Sequence, residues 1–225
     1  MSEHVHVHAP HEFSESHGGT SERSERIMEL IATLLLALAT LGIAWSGYQG
    51  ARWNGESAEQ YSASNAARAR ANRAATAGAQ DRTQDLLNFN RWLEVDTDGI
   101  QQLADLYQRR FRPEFLPAFE AWVASDPVNN PNAESSPLRE PQYKVANLER
   151  ANELEKQGDE HFEEGKEATE HTDSYVFTTV FFATVLFFAG ISMRFVWQRM
   201  RITVLVLGTI FLAYATVQVA QLPIL

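Results

Sequence analysis

Three long apolar runs, separated by strongly polar sequence, set the pattern of this chain. They cover residues 27–48, 175–197 and 202–222, and each has about the 20 residues that an α-helix needs to cross a bilayer. Their charged residues are Glu29 and Arg194, each close to one end of its run. Since ionisable groups deep in a membrane helix mark ion or proton pathways, the pattern predicts three membrane-spanning helices without such a pathway.

The polar sequence after the first run remains alanine-rich and helix-forming as far as Trp92, with no proline before Pro113. Small or modestly polar residues recur along it in steps of three and four, which predicts a coiled-coil seam that continues from the apolar into the polar sequence. Those residues are Thr33, Ala37, Thr40, Ala44, Gly47, Ala51, Asn54 and Ala58. A matching seam leads into the second run and comprises Ala151, Leu154, Gly158, His161, Gly165, Ala168, Thr172 and Tyr175.

The sequence between these two long helices favours a small helical cap. Asp98-Gly99 is typical of a helix end, and residues 100–125 predict two short helices separated by Pro113 and Pro117. Residues 126–141 hold four of the eight prolines, which indicates an irregular loop. The predicted fold is all-α: an integral membrane protein with three transmembrane helices and a long antiparallel helical hairpin, capped by short helices, that extends outside the membrane within residues 49–174.

Arginine positions predict the orientation of the spans. Arg194, Arg199 and Arg201 lie in or beside the loop 198–201 between the second and third spans, and Arg23 and Arg26 precede the first. Basic residues concentrate on the cytoplasmic side of membrane proteins, so this loop and the amino terminus are expected in the cytoplasm. Residues 49–174 and the carboxyl terminus are then extracytoplasmic.

The amino-terminal segment, residues 1–26, has no apolar periodicity and is predicted to be a disordered cytoplasmic tail. It is rich in histidine, and imidazole is a ligand for Zn, Ni and Cu. The candidate metal ligands are His4, His6, His8 and His11. A solvated tail with incidental metal affinity is the more ordinary interpretation of such a composition.

Charge and chemistry exclude several functional classes. The net charge is −10, which argues against nucleic-acid binding, because phosphates are neutralised by clustered Lys and Arg. The chain has no cysteine and therefore no disulfide, thiolate nucleophile or Cys-bound metal. No spacing assembles a nucleophile with an acid–base pair, so we expect neither an enzyme nor a cofactor.

One segment of the predicted cap combines arginines with large aromatic side chains, the residue types that anchor protein interfaces. Its candidate partner-binding residues are Arg110, Phe111, Arg112, Phe115 and Trp122. The same aromatic residues are needed to close the small helical cap, so packing is their expected primary role and partner binding the second.

Several short motifs resemble those of a family of uncharacterised bacterial three-span integral membrane proteins. They are Trp45-Ser-Gly-Tyr-Gln49, Arg110-Phe-Arg-Pro-Glu-Phe115, Ala121-Trp122 followed by Asp126-Pro127 and Asn130-Pro131, and Phe187-Phe-Ala-Gly-Ile-Ser192. The resemblance implies a bacterial inner membrane and the three-span plan. It implies no activity, ligand or functional residue.

Together these observations predict a non-enzymatic membrane protein whose extracytoplasmic helical domain is an assembly or interaction module. Its expected partners are the lipid bilayer and further copies of the chain or other membrane proteins. The alternative is an oligomeric channel or a transporter-accessory subunit with a metal-sensing cytoplasmic tail.

Overall fold

The computed structural model describes residues 18–225, with side chains from residue 22 onward. Over that range the chain is helical and contains no β-strand, so the all-α prediction is confirmed. The helices are α1 (Gly18–Thr97), α2 (Gln101–Gln108), α3 (Leu116–Ala124), α4 (Ala146–Ser192) and α5 (Gln198–Gln221), with one 3₁₀ turn at Pro137–Arg139.

Three of these helices, α1, α4 and α5, are long and apolar enough to span a membrane. They contain the three apolar runs of the sequence. The two short helices predicted within residues 100–125 are present as α2 and α3. Pro113 lies between them, but Pro117, which was also predicted there, lies in the first turn of α3, where a missing N–H leaves no helical bond unmade. Gly99 follows α1 with a φ of +76°, a conformation that glycine adopts without strain.

Two helix ends differ from the boundaries expected from the sequence. The first is the end of the unstructured tail, because residues 18–26 belong to α1. Extending a helix that already exists costs much less than starting one, and Glu22 and Arg26 form an i,i+4 ion pair at 3.7 Å along the added turns. Residues 1–17, which hold the four candidate metal ligands, lie outside the described part of the chain.

The second difference concerns the link between α4 and α5, which comprises residues 193–197, whereas the cytoplasmic loop was predicted at residues 198–201. Helix α4 ends at Ser192, five residues before the predicted end of the second span. At that point the buried Ser192 hydroxyl donates to the Ala189 carbonyl at 2.6 Å. Trp197 precedes α5 with an extended backbone, so the arginines at 199 and 201 lie in the first turn of the helix.

The chain folds into two compact units, to both of which α1 and α4 contribute. One of them, called the membrane unit because it contains the three apolar runs, consists of the described residues up to 57 together with residues 166–225. Its core joins all three long helices and is formed by Met28, Ala32, Leu35, Ala39, Phe182, Val185, Ala189, Leu205 and Ala215. Packing is close, because a Cβ atom on Gly42 would lie 2.5 Å from the Phe182 ring.

The polar unit consists of residues 58–165. In it the Ser64 hydroxyl donates to the Gly158 carbonyl at 2.7 Å, and Gly78 lies directly against Leu148. Residues that come later in α1 contact residues that come earlier in α4, so the two segments run antiparallel. The connector, residues 98–145, carries α2, α3 and the 3₁₀ turn.

The residues of the predicted α4 seam are all buried or half-buried, while their arrangement as a coiled coil stays a prediction. The predicted seam of α1 is wrong, because all eight of its residues are exposed. The buried row of α1 includes Ala32, Leu35, Ala39, Ser46, Gln49, Ser57, Ser64, Ala67, Ala71, Asp85 and Phe89. Both rows repeat in steps of three and four, so periodicity alone does not distinguish which one faces α4.

Candidate functional site

In the polar unit, a buried ion pair joins α1 to the connector. Arg112 lies between α2 and α3 and is followed by Pro113, and its guanidinium is hydrogen-bonded to both carboxylate oxygens of Asp85. Nε donates to Oδ1 at 3.0 Å and Nη2 to Oδ2 at 2.8 Å, a bidentate geometry that holds the carboxylate in one plane. The Asp85 side chain is fully buried, and that of Arg112 is 16% exposed.

Further groups complete this ionic cluster. The Tyr143 hydroxyl donates to Asp85 Oδ2 at 3.0 Å, and Nη1 of Arg112 lies 3.4 Å from Oδ2 of Asp81. Asn147, in the first turn of α4, donates to the same Asp81 oxygen at 2.7 Å. The cluster therefore ties α1, the connector and the start of α4 together.

The electrostatics of the cluster favour fixed charge states. The hydrogen bond to Asp85 raises the pKa of Arg112, against an opposing effect of desolvation. Burial, together with the neighbouring Asp85 carboxylate, raises the pKa of Tyr143 to about 12. At neutral pH Arg112 stays charged and Tyr143 stays protonated, so neither is poised to exchange protons with a substrate.

An aromatic core lies in the same unit. It consists of Phe89, Phe111, Phe115, Phe119 and Trp122, with Trp92, Leu116, Leu138 and Tyr143 packed against it. The ring pairs are mostly edge-to-face, for example Phe111 and Phe115 with centroids 5.0 Å apart. The Trp122 indole donates to the Glu134 carbonyl at 2.7 Å and so holds the irregular loop against this core.

The five predicted partner-binding residues therefore divide by location. Phe111, Phe115 and Trp122 are at most 6% exposed and pack together in the aromatic core, while Arg112 is engaged with Asp85. Arg110 is exposed, with its guanidinium 5.9 Å from the Tyr107 ring centroid. Phe111, Phe115 and Trp122 thus lie where the packing role predicted for the aromatic residues requires, and Arg110 is the one of the five that lies at the surface. Partner binding by these residues stays a prediction.

Histidines of the described residues make structural contacts. Nδ1 of His161 is hydrogen-bonded to Gln60 Oε1 at 2.8 Å, and His171 packs on Trp53 with ring centroids 4.5 Å apart. Within the part of the chain that carries described side chains, no group of three or more His, Asp or Glu residues is arranged to hold a metal ion. The candidate ligands His4, His6, His8 and His11 fall in residues 1–17 and remain a prediction.

A polar clamp on residues 222–225 was not predicted from the sequence. In the membrane unit, Tyr175 and the Trp53 indole both donate to the Pro223 carbonyl, at 3.1 Å and 3.0 Å. Arg52 donates to the Leu225 carbonyl at 2.8 Å, and the buried Gln49 side chain accepts from the Leu225 amide at 3.4 Å. The aromatic and polar residues just after the first apolar run were the available signal, since such side chains concentrate at membrane interfaces.

We expect Arg112→Gln to destabilise the polar unit by about 3–5 kcal/mol, because it leaves the buried Asp85 charge without its partner. Arg110→Gln, two residues away on the surface, should cost less than about 1 kcal/mol. Chemical unfolding of the detergent-solubilised protein, followed by helical circular dichroism, compares the two. Equal losses for both variants would contradict the structural role given to Arg112.

Stability should also depend on alkaline pH through Tyr143. Its pKa in the folded protein, about 12, lies above the value of about 10 expected for an unfolded chain. The protonated hydroxyl therefore stabilises the fold fully below pH 10, and this contribution is lost as the pH rises towards 12. Melting curves should show a steeper decline over that window for the natural protein than for Tyr143→Phe, and parallel declines would refute the assignment.

Comparison of the chain with models of protein families, with curated proteins and with solved structures finds no match. The geometry of the chain is therefore the basis for its proposed function. Of the motifs noted in the sequence, the one from Arg110 to Phe115 supplies the ionic cluster and part of the aromatic core.

Proposed function

We propose that this chain is a three-span membrane protein in which an antiparallel helical hairpin stands on the extracytoplasmic side of the bilayer. One contact in the membrane unit supports this orientation. Gln198, at the start of α5, donates to the Ser24 hydroxyl at 2.9 Å, which puts the arginine-bearing segments around these two residues at the same end of the unit. That end is the cytoplasmic one by the distribution of basic residues.

The opposite end of the membrane unit has the features of an outer interface. Trp45 and Tyr48 are 43% and 54% exposed, and their rings pair at 6.2 Å. Nearby on α1 and α4, Trp53 and Tyr175 donate hydrogen bonds to the Pro223 carbonyl, close to the carboxyl terminus. Trp and Tyr at headgroup depth anchor membrane helices, so both ends of the unit have the chemistry of a membrane boundary. The motif resemblance suggests a bacterial inner membrane.

The function that we propose is non-enzymatic assembly: the helices bind further membrane-protein chains, foremost copies of the same chain. The observation that carries this proposal is a second row of uncharged, mostly small residues on α1, all of which are exposed. The row begins with the eight residues from Thr33 to Ala58 named above. It continues with Ser62, Asn65, Ala69, Asn72, Thr76, Ala79, Thr83, Leu86 and Asn90, all exposed.

Such a row is unusual on a helix that faces only solvent. A solvent-exposed helix face normally carries charged residues, whereas small residues at this spacing let a second helix approach closely. By contrast, Asp85, Arg112 and Tyr143 are engaged with one another within the polar unit. An assembly role accounts for both features.

The alternative is an oligomeric channel or transporter-accessory subunit, which would use the threonines exposed on the membrane helices. Thr33 and Thr40 on α1, and Thr209 and Thr216 on α5, each donate to the carbonyl of the residue four positions earlier. Their methyl groups and not their protons are therefore available to a neighbour. Ion flux through liposomes containing the protein would favour this alternative.

The assembly proposal predicts a native mass that is a multiple of the 25.3 kDa chain for the intact protein in mild detergent. Ala69→Trp, which places a bulky ring in the exposed row, should shift the mass towards the monomer. Ala124→Trp, at an exposed position of α3 outside the row, should not. A monomeric natural protein would overturn the proposal.

The orientation predicts distinct labelling of two single cysteines in a chain that has none of its own. Ser135→Cys, exposed in the connector, should react with a membrane-impermeant maleimide added to intact cells. Val196→Cys, whose natural side chain is 95% exposed in the link between α4 and α5, should react only after the membrane is permeabilised. The reverse result would invert the proposed topology.

A further inference from the structure

We propose that the exposed row of α1 binds the acidic outer surface of α4 on a neighbouring copy of the chain, with Arg73 opposite Glu153 of that copy. This inference rests on the proposed assembly function and adds to it the occupant and the register. The surface concerned is the part of the row between Asn65 and Asn90, together with the arginines that flank it.

The row is less polar than its composition suggests. Thr76 and Thr83 donate their hydroxyls to the carbonyls of Asn72 and Ala79, at 2.8 Å and 2.9 Å. A threonine bonded to its own helix presents its methyl group outward. Surface grooves follow this face of α1, one of them lined by Asn72, Arg73, Thr76, Ala77 and Gln80. The face therefore has the small, apolar relief into which side chains of another helix pack.

Charge identifies which helix that is. Contact between the α1 rows of two parallel copies would bring Arg68 and Arg73 of one chain close to the same arginines of the other, which is unfavourable. The polar-unit part of α4, in contrast, carries seven acidic residues and two basic ones: Glu149, Glu153, Glu155, Asp159, Glu160, Glu163 and Glu164 against Arg150 and Lys156. Complementary charge thus favours α4 as the occupant.

The register follows from contacts within one chain. Arg68 pairs with Asp159 at 2.9 Å, and Gly78 lies against Leu148, so Arg73, midway between them, lies level with Glu153. All copies inserted in one bilayer share the same height and direction. Arg73 of one copy is therefore level with Glu153 of the next, without any shift along the helices.

Both residues are available for this contact. Arg73 and Glu153 are exposed, and neither forms an ion pair with any residue of the described chain. The contact joins two different surfaces, α1 of one copy and α4 of the next, so it is heterologous. Heterologous contacts between chains that share one membrane plane close into a ring when their rotation permits.

Charge reversal tests the pairing in the full-length protein in detergent. Arg73→Glu and Glu153→Arg should each raise the dissociation constant of the oligomer, by roughly tenfold, because each opposes like charges across the contact. The double variant exchanges the positions of the two charges, so opposite charges again face each other across the contact. Its dissociation constant should return to within about threefold of the natural value. Arg109→Glu and Glu120→Arg make the same charge changes at exposed positions away from the row and should leave assembly unchanged.

The outcomes separate this inference from the assembly function on which it rests. If the natural protein assembles but the single reversals have no effect, or if the double variant fails to recover, the pairing of α1 with α4 is wrong while assembly stands. If the natural protein is a monomer, the assembly function itself fails. Helical circular dichroism and the melting temperature of each variant establish that a loss of assembly is not a loss of folding.

Discussion

The close approach of α1 and α4 is the constraint on which each unit of this chain depends. Glycines mark the nearest points: a Cβ atom on Gly42 would collide with Phe182, one on Gly78 with Leu148, and one on Gly165 would lie 3.0 Å from the Tyr61 ring. Such contacts arise because one helix supplies a small residue where the other supplies a large one. In a bilayer this fit replaces the hydrophobic effect as the source of helix association, since apolar side chains gain little by leaving lipid.

The polar unit needs more than this fit. From Ser64 to Gly78 its buried residues on α1 are serine, alanine and glycine, which bury little apolar area, so the aromatic core around Phe115 and the ionic cluster around Asp85 supply what the paired helices lack. A buried ion pair contributes modestly to net stability, because desolvation offsets much of the attraction. Its stronger effect is on specificity: Asp85 is satisfied only when Arg112 and Tyr143 both reach it, which allows one arrangement of the connector.

The exposed surfaces of α1 and α4 explain why assembly is the function we propose. Asp85, Arg112 and Tyr143 are engaged with one another in the polar unit, whereas α1 exposes an uncharged row from Thr33 to Asn90. An assembly module spreads its binding residues along a face. The exposed row of α1 and the acidic residues of α4 are the features on which our proposal of assembly rests.

Some features of this chain follow from its sequence alone. Hydropathy identified the three membrane-length helices, and prolines together with Asp98-Gly99 identified where the connector begins and breaks, because these signals act over a few neighbouring residues. The buried face of α4 could also be predicted, since one face of that helix carries small residues and the opposite face carries charge.

The tertiary structure decided what local signals leave open. On α1 two rows share the same spacing, and only packing against α4 selects the row that contains Ala39 and Ser64. Arg112 and Asp85 lie 27 residues apart along the chain, and no local pattern pairs them. The clamp on Pro223 likewise joins residues 170 positions apart. Periodicity predicts that a helix has a buried face, but which face is buried depends on the shape of the partner, and that shape exists only in the folded chain.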